Sequence, residues 1–444
     1  MVATCTGLGG TTEYALESDC ICAWRRRQGG TRHFARDFCD NSAMRWPILL
    51  VLASATVWAQ SSPRVQISHT TESLRGVSAV SRQVAWASGT HGTFLRTIDG
   101  GRTWTPAQVP DAGALDFRAV VGFSADEAFL MSAGPGELSR VYHTSDGGQH
   151  WQLQFTNKNP KGFFDSMVFW DAQHGVVLGD PIPDESGKLK FEVLLTDDGQ
   201  TWRAVPSAQL PPALEGEGAF AASNSCLAIL PNAWWQVDTS ASRAEPPSTA
   251  APRQLDFNIW FATGGRAARV FHSPDGGETW QVFETPIVHG RDSAGIFSIA
   301  FRNSVDGVIA GGDYKQPDRD GPNLAFTHDS GKTWELSTIH PQAYFSTVAY
   351  DHKADADARR DTRRKATAEF KGDKVRANSD SPQRLFIVSQ DFIFDFRPPN
   401  NPQRTSVKKK DGKKKLDLKF NAASAYPEGG ALTVGPNGSI AFIP

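Results

Sequence analysis

A chain of 444 residues that is 39% hydrophobic and 10% aromatic has ample apolar material for a packed core, which excludes a wholly disordered polymer. Its 40 Gly and 27 Pro argue against a helical bundle, because both residues interrupt helices. A formal net charge of -2 gives no global attraction to nucleic acid, and no nucleic-acid partner is expected.

The first feature along the chain is one long apolar run, residues 46–59, preceded by Met44-Arg45 and followed by Gln60-Ser61-Ser62-Pro63. A short basic start, an apolar stretch of this length and small residues at its end predict a secretory signal peptide over 44–59, cleaved near Ala59-Gln60. The mature chain is then exported, to the periplasm or outside the cell, without a transmembrane helix. Translation is expected to begin at Met44, with residues 1–43 an upstream extension lacking a fold of its own. Cys5, Cys20, Cys22 and Cys39 all lie in that extension, leaving Cys226 as the single cysteine of the mature chain. Cys20, Cys22, Cys39 and His33 do not have a zinc-site spacing, so neither metal nor cofactor is expected.

From residue 60 onward a motif repeats. It reads Thr97-Ile98-Asp99-Gly100-Gly101-Arg102-Thr103-Trp104 in its first copy and recurs with Asp146 and Trp151, Asp198 and Trp202, Asp275 and Trp280, and Asp329 and Trp334. The tryptophans are 47, 51, 78 and 54 residues apart, periods that indicate a propeller or solenoid. Each copy has a mechanical reading. The carboxylate accepts hydrogen bonds within its own turn, glycine supplies positive φ, and the indole opens the outgoing strand and is buried against a neighbouring unit. Short β-rich runs such as 74–80, 84–89 and 93–96 precede each motif and fill out a four-stranded unit. The fourth unit is expected to begin at 218–221 and to resume at 259–262 after a Pro/Ser-rich insertion near 231–254. Residues 343–350 and 385–389 begin a unit without the motif. Residues 420–424, 431–435 and 439–443 supply three strands of a last one, completed by 65–68 so that the ring closes without open edges.

The Ser/Thr-x-Asp-x-Gly-x-Thr-Trp turn resembles the Asp-box, or BNR repeat, of sialidases and related propellers. The resemblance implies an all-β propeller of seven blades, with six as the alternative. In such propellers this turn joins the third and fourth strands on the face opposite the ligand site. Over most of residues 60–444 the pattern is most similar to the photosystem II stability/assembly factor-like family, which implies a non-enzymatic module that binds a protein or assembles a complex. Two charged insertions, 351–384 and 404–415, depart from that family and are expected to be surface loops. Without them and residues 1–59 the remaining body carries a net charge of about -12. A basic projection on an acidic body can steer an anionic partner.

On this topology the binding face lies where the inner strands begin and where the second and third strands connect. It carries Arg75, His91, Arg118, Asp165, Asp180, Glu217, Arg266, Asp313, Tyr314, Lys315 and Tyr344, and the expected ligand is an unidentified protein or glycan bound by a monomer. Glycoside hydrolysis is the alternative function. It would draw on Asp165 paired with Asp313, or on Glu217 with Tyr344. The arginine-bearing Arg-Ile-Pro motif of sialidases is absent from the sequence. Residues 216–221 match G-x-G-x-x-A but follow Pro211-Pro212 and lack the strand–turn–helix setting a dinucleotide needs.

Overall fold

A computed structural model describes residues 63–231, 257–338, 343–351, 384–389, 393–397, 400–405, 408–411, 414–417 and 419–444. The chain divides into residues 1–59 and Gln60–Pro444, and every described residue lies in the second unit. The expected signal peptide, the upstream extension, and most of the insertions at 231–254 and 351–384 fall outside the described residues.

The described strands form six four-stranded sheets, one six-stranded sheet and one two-stranded hairpin, all antiparallel. The first sheet is a meander of Leu74–Ala79, Ala85–Gly89, Thr93–Thr97 and Thr105–Gln108. The second opens with Asp116–Gly122, the third with Phe164–Phe169, the fourth with Leu227–Pro231 and the sixth with Thr347–Tyr350. In the last sheet, Ala422–Ala425, Ala431–Gly435 and Ser439–Ile443 are completed by Arg64–Gln66, with Val65 opposite Ala441. The first and last described strands therefore share one sheet, as the edge-closure requirement predicts. The opening strands touch in succession from Leu74–Ala79 round to Ala422–Ala425, which returns to Leu74–Ala79. The protein is a β-propeller.

Six sheets have the expected four-stranded form, and the fifth departs from it. To the meander Ala294–Phe301, Gly307–Asp313, Leu324–Thr327 and Glu335–Leu336 it adds Glu217–Gly218 and Gly264–Gly265 along the inner edge. Gly264 and Gly295 make that approach possible: a Cβ on Gly295 would lie 2.3 Å from the Gly264 Cα. Residues 218–221 are thus not the inner strand of the fourth sheet, which is Leu227–Pro231. The charged stretch 404–415, expected as a loop, instead ends the strand Asn400–Thr405 and supplies most of the hairpin Lys408–Asp411/Lys414–Asp417.

The five repeated turns share one set of hydrogen bonds. In the first, the Thr97 hydroxyl donates to Asp99 Oδ1 (2.9 Å), which also accepts the Thr103 N–H (2.9 Å), while Thr103 Oγ1 donates to Oδ2 (2.5 Å). Gly100 and Gly101 hold φ of 74° and 78°, the left-handed region where a side chain is strained. Thr103's hydroxyl and N–H together hold the Asp99 carboxyl down to about 2. The same pattern binds Asp146, Asp198, Asp275 and Asp329 to the hydroxyl two positions before each.

What the turn fixes is the tryptophan. Trp104 packs with Leu432 and Val434 of the last sheet and donates its N–H to Gln66 (2.9 Å). Trp151 meets Trp86 and Phe94 of the first sheet edge-on at 6.3 and 5.1 Å. Trp280 packs among Val176, Leu178 and Leu195 of the third sheet, and Trp334 among Trp260, Ala262 and Val270 of the fourth. Each indole is a wedge between its own sheet and the preceding one. Small polar side chains stitch the inner strands of adjacent sheets: Gly122 N donates to Ser78 Oγ (3.0 Å), Val348 N to Ser298 Oγ (2.9 Å) and Ala79 N to Ser424 Oγ (3.1 Å).

Trp104→Ala empties the seam where the ring closes and is expected to cost about 3–5 kcal/mol, read as a lower midpoint in urea denaturation. An unchanged midpoint would show that the indole is not a wedge.

Candidate functional site

The inner strands carry a shared irregularity. Leu74 pairs with Gly89 and Gly76 with Ser88, so Arg75 is an extra residue with no partner in register. Arg118, Asp165 and Phe297 occupy the same position in the second, third and fifth sheets. A β-bulge bends its strand and re-aims the extra side chain, here at the end of the sheet where inner strands begin. A small residue follows each one: Gly76, Ala119, Ser166 and Ser298. At Gly76 the reason is spatial, since a Cβ would sit 2.6 Å from Ser88 Oγ and 2.9 Å from the Arg118 carbonyl.

Three of the four bulge residues line one cavity of about 300 Å³. Its lining combines Arg75 and Arg118 with a ring cluster of Phe220, Phe297, Tyr314 and Tyr344, and is completed in part by Ser346, Phe420 and Asn421. Phe220 stacks on Phe297 at 3.8 Å and 9°, and Tyr344 meets Phe297 edge-on at 4.7 Å and 85°. Phe220 arrives on the chain that crosses from the fifth sheet's inner edge into the fourth sheet. That crossing is held by Ala219 N donating to Asp180 Oδ1 (3.0 Å), Arg118 Nη1 donating to the Ala221 carbonyl (3.0 Å) and Ser223 Oγ donating to the Ser346 carbonyl (2.5 Å).

The two guanidiniums share one carboxylate. Arg118 Nε donates to Asp116 Oδ2 at 2.9 Å, while Arg75 Nε stands 3.9 Å from Oδ1. Arg75 Nε, Asp116 Oδ1 and Asp165 Oδ2 are buried without a hydrogen-bond partner. Unspent polar atoms of this kind are costly; of the three residues only Arg75 lines the cavity, where a bound ligand would offer it a partner. Burial, and then the neighbouring Arg118, push the Arg75 pKa down. The cavity therefore offers excess positive charge beside a wall of rings.

The expected binding-face residues divide sharply. Arg75, Arg118, Tyr314 and Tyr344 line the cavity together, whereas Asp165, Asp180, Glu217, Asp313, His91, Arg266 and Lys315 do not. Glu217 is a buried anchor: Arg269 grips both of its carboxylate oxygens, and Thr263 Oγ1 donates to it at 2.6 Å. Asp313 is held by Arg291 (3.0 Å) and the Lys315 N–H (3.0 Å). His91 Nδ1 lies 2.7 Å from Glu72 on the exposed rim, and Arg266 faces Asp292 at 3.8 Å. Asp180 is committed to the crossing chain. Asp165 is 1% exposed, and burial, with Asp180 adding to it, pushes its carboxyl well above the ordinary range. Burial likewise raises the Tyr344 phenol. Among the described residues lining the cavity there is no carboxylate, so the paired acids of a glycosidase are not assembled there. Sequence reasoning passed over Phe220, Phe297, Phe420 and Asn421. For Phe297 the small residue after the bulge, Ser298, was the available signal.

With the geometry in view, comparison with known proteins is informative. A family model described as Photosynthesis system II assembly factor YCF48 matches residues 54–162. Photosystem II stability/assembly factor HCF136, chloroplastic, of Arabidopsis thaliana is 24% identical over 274 residues, 55% of this chain and 62% of that protein. The match thus spans less than two thirds of that relative. Photosystem II assembly lipoprotein Ycf48 of Synechococcus sp. (strain CC9902) is 23% identical over 276 residues, 59% of this chain and 75% of its own length. A solved structure described as YCF48 bound to D1 peptide superposes with a TM-score of 0.50 at 13% identity, covering 86% of this chain and 97% of that one. The chain is a β-propeller similar to the photosystem II assembly factors. No helix among the described residues is long and apolar enough to cross a membrane.

Three substitutions test these assignments. Arg269→Ala strands a buried carboxylate and is expected to cost about 3–5 kcal/mol, with Glu217→Gln partly rescuing the Arg269→Ala chain in a thermal melt. For Asp165, a folded pKa raised above the unfolded value of about 3.9 means that its stabilising contribution is complete below that value and lost as pH rises. Asp165→Asn should therefore match the native melting temperature near pH 4 and exceed it by several degrees at pH 8; a difference that does not change with pH would contradict the assignment.

Proposed function

We propose that the protein is an exported assembly module whose axial cavity holds a segment of a client polypeptide. The observation that carries this reading is the cavity itself: two arginines sharing one carboxylate, facing a cluster of aromatic rings, at the hub of a rigid wheel. Such a site offers apolar burial with a few fixed polar groups, the usual composition of a binding pocket. Arginine and aromatic residues are also the ones that dominate protein–protein hot spots. The relatives' names as assembly proteins, and the description of one solved structure as peptide-bound, support a polypeptide ligand. Export is supported by the apolar run at 46–59 and by a relative named as a lipoprotein. We count the six-stranded sheet as a blade, which makes the wheel seven-bladed; the unbroken succession of opening strands supports that count.

The experiment is an array of overlapping peptides from envelope proteins of the source cell, probed with the purified chain. Peptides that bind should lose about thirtyfold or more in affinity to Arg118→Gln and to Phe297→Ala, the loss expected of a hot-spot residue. Hydrolysis of a chromogenic glycoside that disappears in Asp165→Asn or Asp313→Asn would instead establish the glycosidase alternative.

A further inference from the structure

Among the described residues the hairpin Lys408–Asp411/Lys414–Asp417 has no counterpart in the other sheet-to-sheet connections. It lies on the path from the last strand of the sixth sheet, Asn400–Thr405, to the first strand of the closing sheet, Ala422–Ala425. Residues 408–417 contain six Lys and two Asp, and the register sets Lys410 opposite Lys415 and Lys409 opposite Leu416. Like charges directly opposite on paired strands disfavour the pairing, and a lone two-stranded hairpin is marginal in water. An anionic partner would offset both costs.

Its place in the chain says where that partner lies. Asp417 precedes Phe420 by three residues, and Phe420 and Asn421 line the axial cavity. In sequence the hairpin therefore leads directly into the cavity wall. We infer that it is a second contact for the client, selecting a polypeptide whose cavity-bound segment runs on into an acidic stretch; this rests on the reading that the cavity holds a polypeptide. Without the two charged insertions the wheel carries a net charge of about -12, so its surface as a whole disfavours such a chain. A concave aromatic cavity suits side chains and not the flat surface of a bilayer. Six lysines without an arginine also lack the bidentate groups that read nucleic-acid bases.

Charge steering of this kind acts on association and is screened by salt. The probe is a fluorescein-labelled peptide with an Asp/Glu-rich tract next to an apolar Phe-Ala end, compared with its Asn/Gln counterpart in stopped-flow mixing. The combined Lys408→Gln, Lys410→Gln, Lys414→Gln and Lys415→Gln chain should associate about tenfold or more slowly at low salt, with its dissociation rate within about twofold of native. The difference should vanish near 1 M salt, where the Debye length is about 3 Å. An unchanged association rate, or an equal effect on the Asn/Gln peptide, would overturn the inference. So would tighter binding to phosphatidylglycerol vesicles or to single-stranded DNA than to the acidic peptide. Peptide binding that depends on Arg118 but not on the hairpin would sink this inference alone. No binding by the native chain, or binding indifferent to Arg118→Gln, would sink the cavity reading as well.

Discussion

The structure depends on a wedge. An indole is set between neighbouring sheets at a fixed depth, and it stays there because the turn carrying it is tied by an aspartate to its own backbone and hydroxyls. A hydrophobic contact alone would hold the sheets together without fixing their angle, and a ring closes only if every angle is right. Asp99, Asp146, Asp198, Asp275 and Asp329 therefore do geometric work. Their low-lying carboxyls record how many donors converge on them, as at Asp99 and Asp146. Polar, repeated and surface-lying, these residues have the look of a site, but their hydrogen-bonding capacity is spent inside the turn.

Angular fixation at one end of the five motif-bearing sheets leaves the other end free to vary. The inner strands enter the hub there, and a bulge at the same position in four of them turns out Arg75, Arg118, Asp165 and Phe297. Three became cavity wall. The fourth, Asp165, points into protein, where Asp180 and Glu192 add to the cost of its charge. The chain crossing between the fifth and fourth sheets then divides the hub: it brings Phe220 to the cavity and takes Glu217 and Asp180 away from it.

Much of this was legible from the sequence. The turn motif announced its own hydrogen bonds, because Ser/Thr, Asp and Gly at fixed offsets have few other conformations open to them. Closure by an N-terminal strand, expected at 65–68 and found at Arg64–Gln66, followed from a three-stranded remainder at the end of the chain. Arg75, Arg118, Tyr314 and Tyr344 could be placed by topology alone. What was hidden depended on register and on long-range partners. A bulge adds one residue to one strand and leaves the hydrophobic pattern almost unaltered, so nothing in that pattern set Phe297 apart from its neighbours. Glu217 looked available because Arg269, its partner, lies 52 positions away. Residues 218–221 read as a strand, yet Gly264 and Gly295 draw that segment to a different sheet.

Hydrogen–deuterium exchange on the whole chain, with and without a bound client peptide, tests the division of labour between the two ends most directly. The account predicts new protection at the starts of the inner strands and along 219–223, while the amides of the five turns, already slow in the free protein, exchange as before. Protection confined to those turns, with the cavity segments unaltered, would contradict it.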